Sequence, residues 1–297
     1  MTTVSPSHRR WRIIVWLLVF VLVGLVSACL AAWLIPRPAV GIIRVNIDIF
    51  ATGTDYSFGS MELFQAEIDR ARQDRRIKAV VVQFDSPGGE VVASQTLYLE
   101  LQALRRSMPV VGAINTMAAS GAYYAAMATE PLYARPSSSV GNVGVWGYFP
   151  DDLAVNDVIL ASGPFKLSGS NRDEFLREIE GIKQEFIATV TSQRGERLQI
   201  TSVDLSQGLM YPGREALNLG LVDRLGTQSD AVAEAARQAG IAHYEVIDLE
   251  AAVINAYFQN ESLFLHPWAG AADPATGKRT VPPGIYLLYD VSLRGEP

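Results

Sequence analysis

Hydrophobic positions change their spacing along the chain, and the spacing predicts the elements. Residues 13–35 run for 23 positions without a charged side chain. At about 1.5 Å rise per residue, such a helix crosses a roughly 30 Å hydrocarbon core. Beyond it, short β-branched runs alternate with helical patterns. Strands are predicted at 41–49, 79–84 and 110–114, with helices at 61–73 and 90–106 between them. Leu97, Leu101 and Leu104 share one helical face, and Phe175, Ile179, Ile182, Phe186 and Val190 repeat at the same period within a helix expected over 172–191. Those stripes read as core contacts. After Gly240 the pattern predicts a strand at 244–247, a helix at 250–258, a Pro/Gly/Ala-rich loop over 266–284 and a last apolar run at 285–289. This βα alternation is that of an α/β fold.

The expected organisation is a cytoplasmic tail over 1–12, a transmembrane anchor over 13–35, a catalytic domain over 36–242 and a C-terminal extension over 243–297. His8, Arg9, Arg10 and Arg12 precede the apolar run. By the positive-inside rule they predict a single-pass cell-membrane protein with its N-terminus cytoplasmic and the rest extracytoplasmic. A cleaved signal is the alternative, against which the apolar run continues through Trp33, Leu34 and Ile35. Val26-Ser27-Ala28-Cys29 looks like a lipobox, which makes Cys29 a candidate lipidation site. Either anchor makes the membrane a partner.

Charge narrows the partners. The chain carries 25 Lys+Arg against 31 Asp+Glu, a formal net charge of -6, which excludes a basic nucleic-acid-binding surface. Without the three N-terminal arginines the balance is 22 against 31. With a single cysteine, no internal disulfide forms.

Candidate chemistry is then sorted by elimination. Three histidines, no H-E-x-x-H and no C-x-x-C give no zinc signature, and no phosphate-cradling glycine motif follows a strand; no cofactor is expected. A Ser-His-Asp arrangement would need His243 or His266, and neither lies in a recognisable turn. Two turns remain. Asp85-Ser86-Pro87-Gly88-Gly89-Glu90 follows an apolar run and opens a helix, so its free N–H groups form half of an oxyanion hole or a plain structural turn. Met117-Ala118-Ala119-Ser120-Gly121-Ala122 follows the strand at 110–114, and Ser120 there is either an N-cap or a nucleophile. A nucleophilic serine needs a proton acceptor, and arginine does not deprotonate. Of the 25 basic residues only Lys78, Lys166, Lys183 and Lys278 are lysines. Lys166, between Pro164-Phe165 and Leu167, is the one whose apolar surroundings would lower an amine pKa on burial; a solvated loop lysine is the alternative.

Phe84-Asp85-Ser86-Pro87-Gly88-Gly89, Ala118-Ala119-Ser120-Gly121-Ala122-Tyr123-Tyr124, Val140-Gly141-Asn142-Val143-Gly144-Val145, Ser162-Gly163-Pro164-Phe165-Lys166 and Gly220-Leu221-Val222-Asp223-Arg224-Leu225-Gly226, in that order, resemble the bacterial signal peptide peptidase A family. The resemblance covers about residues 41–240 and matches the short form of the family, with one motif set. It implies a Clp protease/crotonase-like α/β fold behind the membrane helix. It also implies a serine endopeptidase with a Ser/Lys dyad that degrades remnant signal peptides or other apolar peptides near the membrane, assembled as a homo-oligomeric ring. Carried over by position, Ser120 is the nucleophile and Lys166 the general base, while Gly88 and Gly121 supply oxyanion-hole N–H groups. Asn142 stands where the family usually has a serine that orients the lysine. Two other readings remain: an inactive peptide-binding membrane scaffold of the same fold, and a crotonase-like acyl-thioester enzyme.

Overall fold

The β-branched runs at 39–45, 77–86 and 110–119 become the middle of a sheet because both of their faces are covered. A computed structural model describes residues 6–34, 36–50, 60–149, 165–166, 168–259 and 285–288. The strands are β1 (Ala39–Val45), β2 (Ile77–Ser86), β3 (Gly88–Glu90), β4 (Val110–Ala119), β5 (Leu132–Ala134), β6 (Ser139–Gly141), β7 (Trp146–Gly147), β8 (Met210–Pro212), β9 (Arg224–Leu225), β10 (Glu245–Asp248) and β11 (Ile285–Leu288). The helices are α1 (Pro6–Leu34), α2 (Ser60–Gln73), α3 (Val91–Arg105), α4 (Gly121–Ala126), α5 (Arg172–Arg194), α6 (Ser202–Leu205), α7 (Gly213–Asn218), α8 (Gln228–Gln238) and α9 (Leu249–Gln259).

The eight-stranded sheet has the order β10-β1-β2-β4-β5-β9, with β6 beside β4 and β8 beside β6. Pairings along the main path are parallel, and β6–β8 is antiparallel, so the sheet is mixed. Strand periodicity sends alternate residues to opposite layers. Ile43, Val80, Val82, Phe84, Val110 and Ile114 join Phe64 and Ile68 of α2 and Leu97, Leu101 and Leu104 of α3 in one core. Val40, Val81, Val111 and Ala113 face Ala231, Val232, Ala235 and Ala236 of α8 in the other. Each fully buried Leu, Ile or Phe contributes roughly 1.5–3 kcal/mol, so the two layers hold β2 and β4 firmly where the candidate turns begin. Residues 245–259 pack with the same layers: β10 joins the sheet beside β1, and α9 packs on α2 and β1.

The N-terminal unit, residues 1–38, is separate from the unit of residues 39–297. Helix α1 is where the apolar run predicts a helix. Among the described residues no helix is long and apolar enough to cross a membrane. The expected transmembrane anchor over 13–35 is corrected on that ground. So are the membrane partner, the single-pass localisation with a cytoplasmic N-terminus and the membrane-anchored form of the function. The side chain of Cys29, the candidate lipidation site, lies outside the described part of the helix.

Candidate active site

Ser120 sits where β4 turns into α4. Buried Val110, Val111 and Ile114 fix the strand, and the small residues Ala118, Ala119, Ala122, Ala125 and Ala126, all fully buried, let the following helix pack tightly behind it. The serine backbone has φ 50° and ψ −120°, a region that non-glycine residues seldom enter and that costs on the order of 1–3 kcal/mol. Two hydrogen bonds hold it there. The Ser120 N–H donates to the Gly141 carbonyl at 2.9 Å, and the Tyr124 N–H donates to the Ser120 carbonyl at 2.9 Å. Although the residue occupies the N-cap position, its hydroxyl makes no capping hydrogen bond. Such a cap is worth about 1 kcal/mol. The strain at Ser120 is thus not offset by a cap from its own hydroxyl.

The glycine turn lies alongside. Register pairs Ser86 with Ala118, which brings Pro87, Gly88 and Gly89 next to the last residues of β4. Gly88 has φ 103°, and its N–H donates to Ser86 Oγ at 3.2 Å. Ile49 N–H donates to the Gly88 carbonyl and Glu90 N–H to the Ile49 carbonyl, both at 2.8 Å. A Cβ on Gly89 would lie 1.9 Å from the Ile49 oxygen, so only glycine permits this approach. Gly121 follows Ser120 as the first residue of α4, where helix N–H groups have no intrahelical partner. On the other side, Gly141 (φ 116°) and Asn142 (φ 55°) are also left-handed. Four unusual backbone conformations thus cluster around one hydroxyl.

Asn142 lies close to Ser120 in the backbone, but its side chain is engaged elsewhere. Its Nδ2 donates to the Gly208 carbonyl at 2.8 Å, and its N–H to the Leu209 carbonyl at 2.8 Å. Lys166 departs from its expected surroundings. It is exposed, in a turn with Phe165, and no described hydrogen bond or ion pair joins it to Ser120. The flanking residues 150–164 and 167 lie outside the described residues. The apolar neighbours in sequence therefore do not bury this amine, and the expected Ser/Lys dyad is corrected: no such pair is formed among the described residues. Of the other candidate bases, His243 and Lys78 are exposed and Lys183 pairs with Glu180 at 2.6 Å; His266 and Lys278 lie outside the described residues.

Two polar devices that support the site were not singled out from sequence. Asp85 ties β2 to β4, accepting from the Thr116 N–H at 2.7 Å, from Asn115 Nδ2 at 3.1 Å and from Gln83 Nε2 at 3.0 Å. Behind α4, Arg194 is buried and donates to Asp223 through both terminal nitrogens, at 3.1 and 2.8 Å, and to the Gly220 carbonyl at 2.6 Å. Burial works against ionisation of Asp223, but the hydrogen bonds and charge of Arg194 outweigh it and hold the carboxyl below its ordinary range. Tyr123 Oη donates to the Leu221 carbonyl at 2.8 Å, and burial pushes its phenol pKa up. The helix that starts at Ser120 is thereby fastened to the segment 220–223. The motif Gly220-Leu221-Val222-Asp223 carried that signal in the sequence.

Comparison with known proteins finds similarity to a family of peptidases. Residues 102–242 match peptidase family S49. The chain is 34% identical over 184 residues to the slr0021 protein of Synechocystis sp., covering 57% of this chain and 66% of that protein. It is 29% identical to the MJ0651 protein of Methanocaldococcus jannaschii, covering 61% and 62%, and 31% identical to protease 4 of Salmonella typhi, covering 61% and 31%. The chain thus spans less than two thirds of the length of these relatives. A serine-to-alanine variant of the 1510-N membrane-bound stomatin-specific protease is similar in structure, with TM-score 0.46 and 18% identity over 72% of this chain and 95% of that one. The family match and the sequence relatives make this chain similar to proteins named as proteases. They give no clear likeness to Clp or crotonase enzymes, so the expected Clp protease/crotonase-like class is corrected to an α/β fold with a mixed sheet.

Proposed function

We propose that the chain is a serine peptidase in which Ser120 is the nucleophile and extended peptides are the substrate. The observation that carries this reading is the strained junction of β4 and α4, where a buried N-cap serine leaves its cap bond unmade. Strand–serine–helix turns of that kind present Oγ to a substrate. In the reaction Ser120 Oγ would attack a peptide carbonyl, giving a tetrahedral oxyanion, and the amine leaves with a proton as the acyl-enzyme forms. The Gly88 and Gly121 N–H groups are the donors proposed for the oxyanion; the weak 3.2 Å bond from Gly88 to Ser86 Oγ would be exchanged for the stronger charged one. Proton removal from Ser120 is assigned to no described residue.

The test is covalent labelling. A fluorophosphonate should modify the protein once, at Ser120, and hydrolysis of a fluorogenic apolar peptide should fall at least ~10³-fold in Ser120→Ala, the scale on which loss of a nucleophile is felt. Hydrolysis unchanged by that substitution would sink the proposal.

A further inference from the structure

Asn142 stands in left-handed backbone, φ 55°, directly after Gly141 at φ 116°. The peptide unit between them faces two ways. Its carbonyl, on Gly141, accepts from the Ser120 N–H at 2.9 Å, and its N–H, on Asn142, donates to the Leu209 carbonyl at 2.8 Å. Ser120, this one peptide unit and Leu209 therefore form a single chain of hydrogen bonds, in which each bond polarises the next. Whatever sets the tilt of the unit sets the acceptor that the serine N–H meets.

The Asn142 side chain supplies that setting. Its Nδ2 donates to the Gly208 carbonyl at 2.8 Å, so the side chain and main chain of Asn142 grip two successive carbonyls. Only the amide nitrogen can face a carbonyl in this way, which fixes the orientation of the group. Asparagine suits the place for a second reason: it tolerates positive φ better than most non-glycine residues. The gripped segment is itself anchored. It follows α6, whose Leu205 is buried in the larger core, and leads into β8, where Met210 pairs with Gly141 and Tyr211 with Val140. Gly141 is held closely, because a Cβ there would lie 3.0 Å from the Leu209 oxygen. The position of residues 205–210 is thus transmitted to the serine through one peptide unit.

We infer that Asn142 is a positioning residue for the nucleophile: by clasping residues 208 and 209 it fixes the peptide unit between residues 141 and 142, and through it the strained backbone of Ser120. It acts on the placement of Oγ. The amine-orienting role that the family resemblance implies for this position would act on the proton acceptor instead, and pH tells the two apart. The catalytic consequence rests on the serine-peptidase reading above; the clasp does not.

The experiment compares the full chain with Asn142→Gly and Asn142→Asp. Glycine keeps φ 55° without strain and loses only the side-chain bond, whereas aspartate keeps the size and turns an acceptor toward the Gly208 carbonyl. For hydrolysis of a fluorogenic apolar peptide, kcat should fall ~10-fold or more in both, the scale of a small misplacement. KM should stay within about twofold of the parent, and the midpoint of the pH profile of kcat should not move. Exchange of the Ser120 amide should accelerate at least ~10-fold, while urea unfolding shows both variants folded under assay conditions. An unchanged kcat with Ser120 exchange within about twofold overturns the inference. So does a midpoint displaced by about half a pH unit, which would make Asn142 a partner of the base, or a fall in kcat that merely follows the unfolded fraction. If the parent neither hydrolyses peptide nor reacts with fluorophosphonate, the serine-peptidase reading falls, and Ser120 exchange in Asn142→Gly still decides the clasp.

Discussion

The Ser120 N–H and the Gly141 carbonyl are joined by a 2.9 Å hydrogen bond, and both residues have positive φ. The bond anchors the serine to β6, whose Gly141 pairs in register with Ala119. Release of the strain at Ser120 would break it. The high-energy backbone therefore persists because β4, β6 and α4 together determine it.

Replacing Ser120 by glycine separates strain from chemistry. Glycine adopts φ 50° without steric cost, so Ser120→Gly should be more stable than Ser120→Ala by about 1 kcal/mol in urea unfolding, while both fail to react with fluorophosphonate. Equal stability of the two variants would mean that the junction is relaxed.

Gly89→Ala tests the glycine turn. Its Cβ would meet the Ile49 oxygen at 1.9 Å, and backbone cannot yield as a side chain can. The expected outcome is a displaced β3 with loss of at least ~2 kcal/mol and a drop of ~10-fold or more in the rate of Ser120 labelling. Normal labelling with unchanged stability would disprove the close approach.

Asp223→Asn removes the charge facing buried Arg194. Breaking a buried pair by one partner costs about 3–5 kcal/mol, so the thermal midpoint should fall by several degrees. The pH dependence follows from the direction of the shift. A carboxyl held below its ordinary range stabilises the fold above the unfolded pKa of about 3.9, and that contribution is lost as pH falls through the lower folded value. Between pH 5 and pH 2 the parent should therefore lose more stability than Asp223→Asn.

Glu67 has the opposite sign. It is buried on α2, with one carboxyl oxygen accepting from the Arg44 N–H at 3.0 Å and Oε1 unpartnered, and burial raises its pKa to about 8. The folded state holds this proton while the unfolded state releases it near 4.5, so stability declines as pH rises from about 4.5 to about 8 and then levels off. Glu67→Gln should flatten that decline and exceed the parent by on the order of 2 kcal/mol at pH 8, measured by urea unfolding. A parent whose stability rises across this interval by the same amount as the variant's would refute a neutral Glu67.

Much of the scaffold was legible because it depends on local period. The helix expected over 61–73 is found at Ser60–Gln73, and that over 90–106 at Val91–Arg105. β4 was underestimated: the β-branched run ends at Ile114, but Met117, Ala118 and Ala119 stay in the sheet through pairing with β6 and with Ser86, which are distant in sequence. Ser120 was visible as a choice between cap and nucleophile, and only its backbone angles and unmade cap bond favour one. Lys166 misled because apolar neighbours along the chain say nothing about what covers a turn. Glu67 and the Arg194–Asp223 pair were hidden for a related reason: burial of a charged residue is decided by the elements packed over it. The run at 285–289 was seen as apolar, whereas the pairing of Leu288 with Gly88 is a matter of long-range register.

The crowding behind Gly89 and Gly147 also bears on how such a protein can diversify. At Gly89 the obstacle is the Ile49 backbone, which cannot yield, whereas at Gly147 it is the far ends of the Phe175 and Ile179 side chains, which can repack. Gly89 is therefore fixed under mutation, while change nearby is open at Gly147 and at the exposed neighbours Val92 and Tyr148.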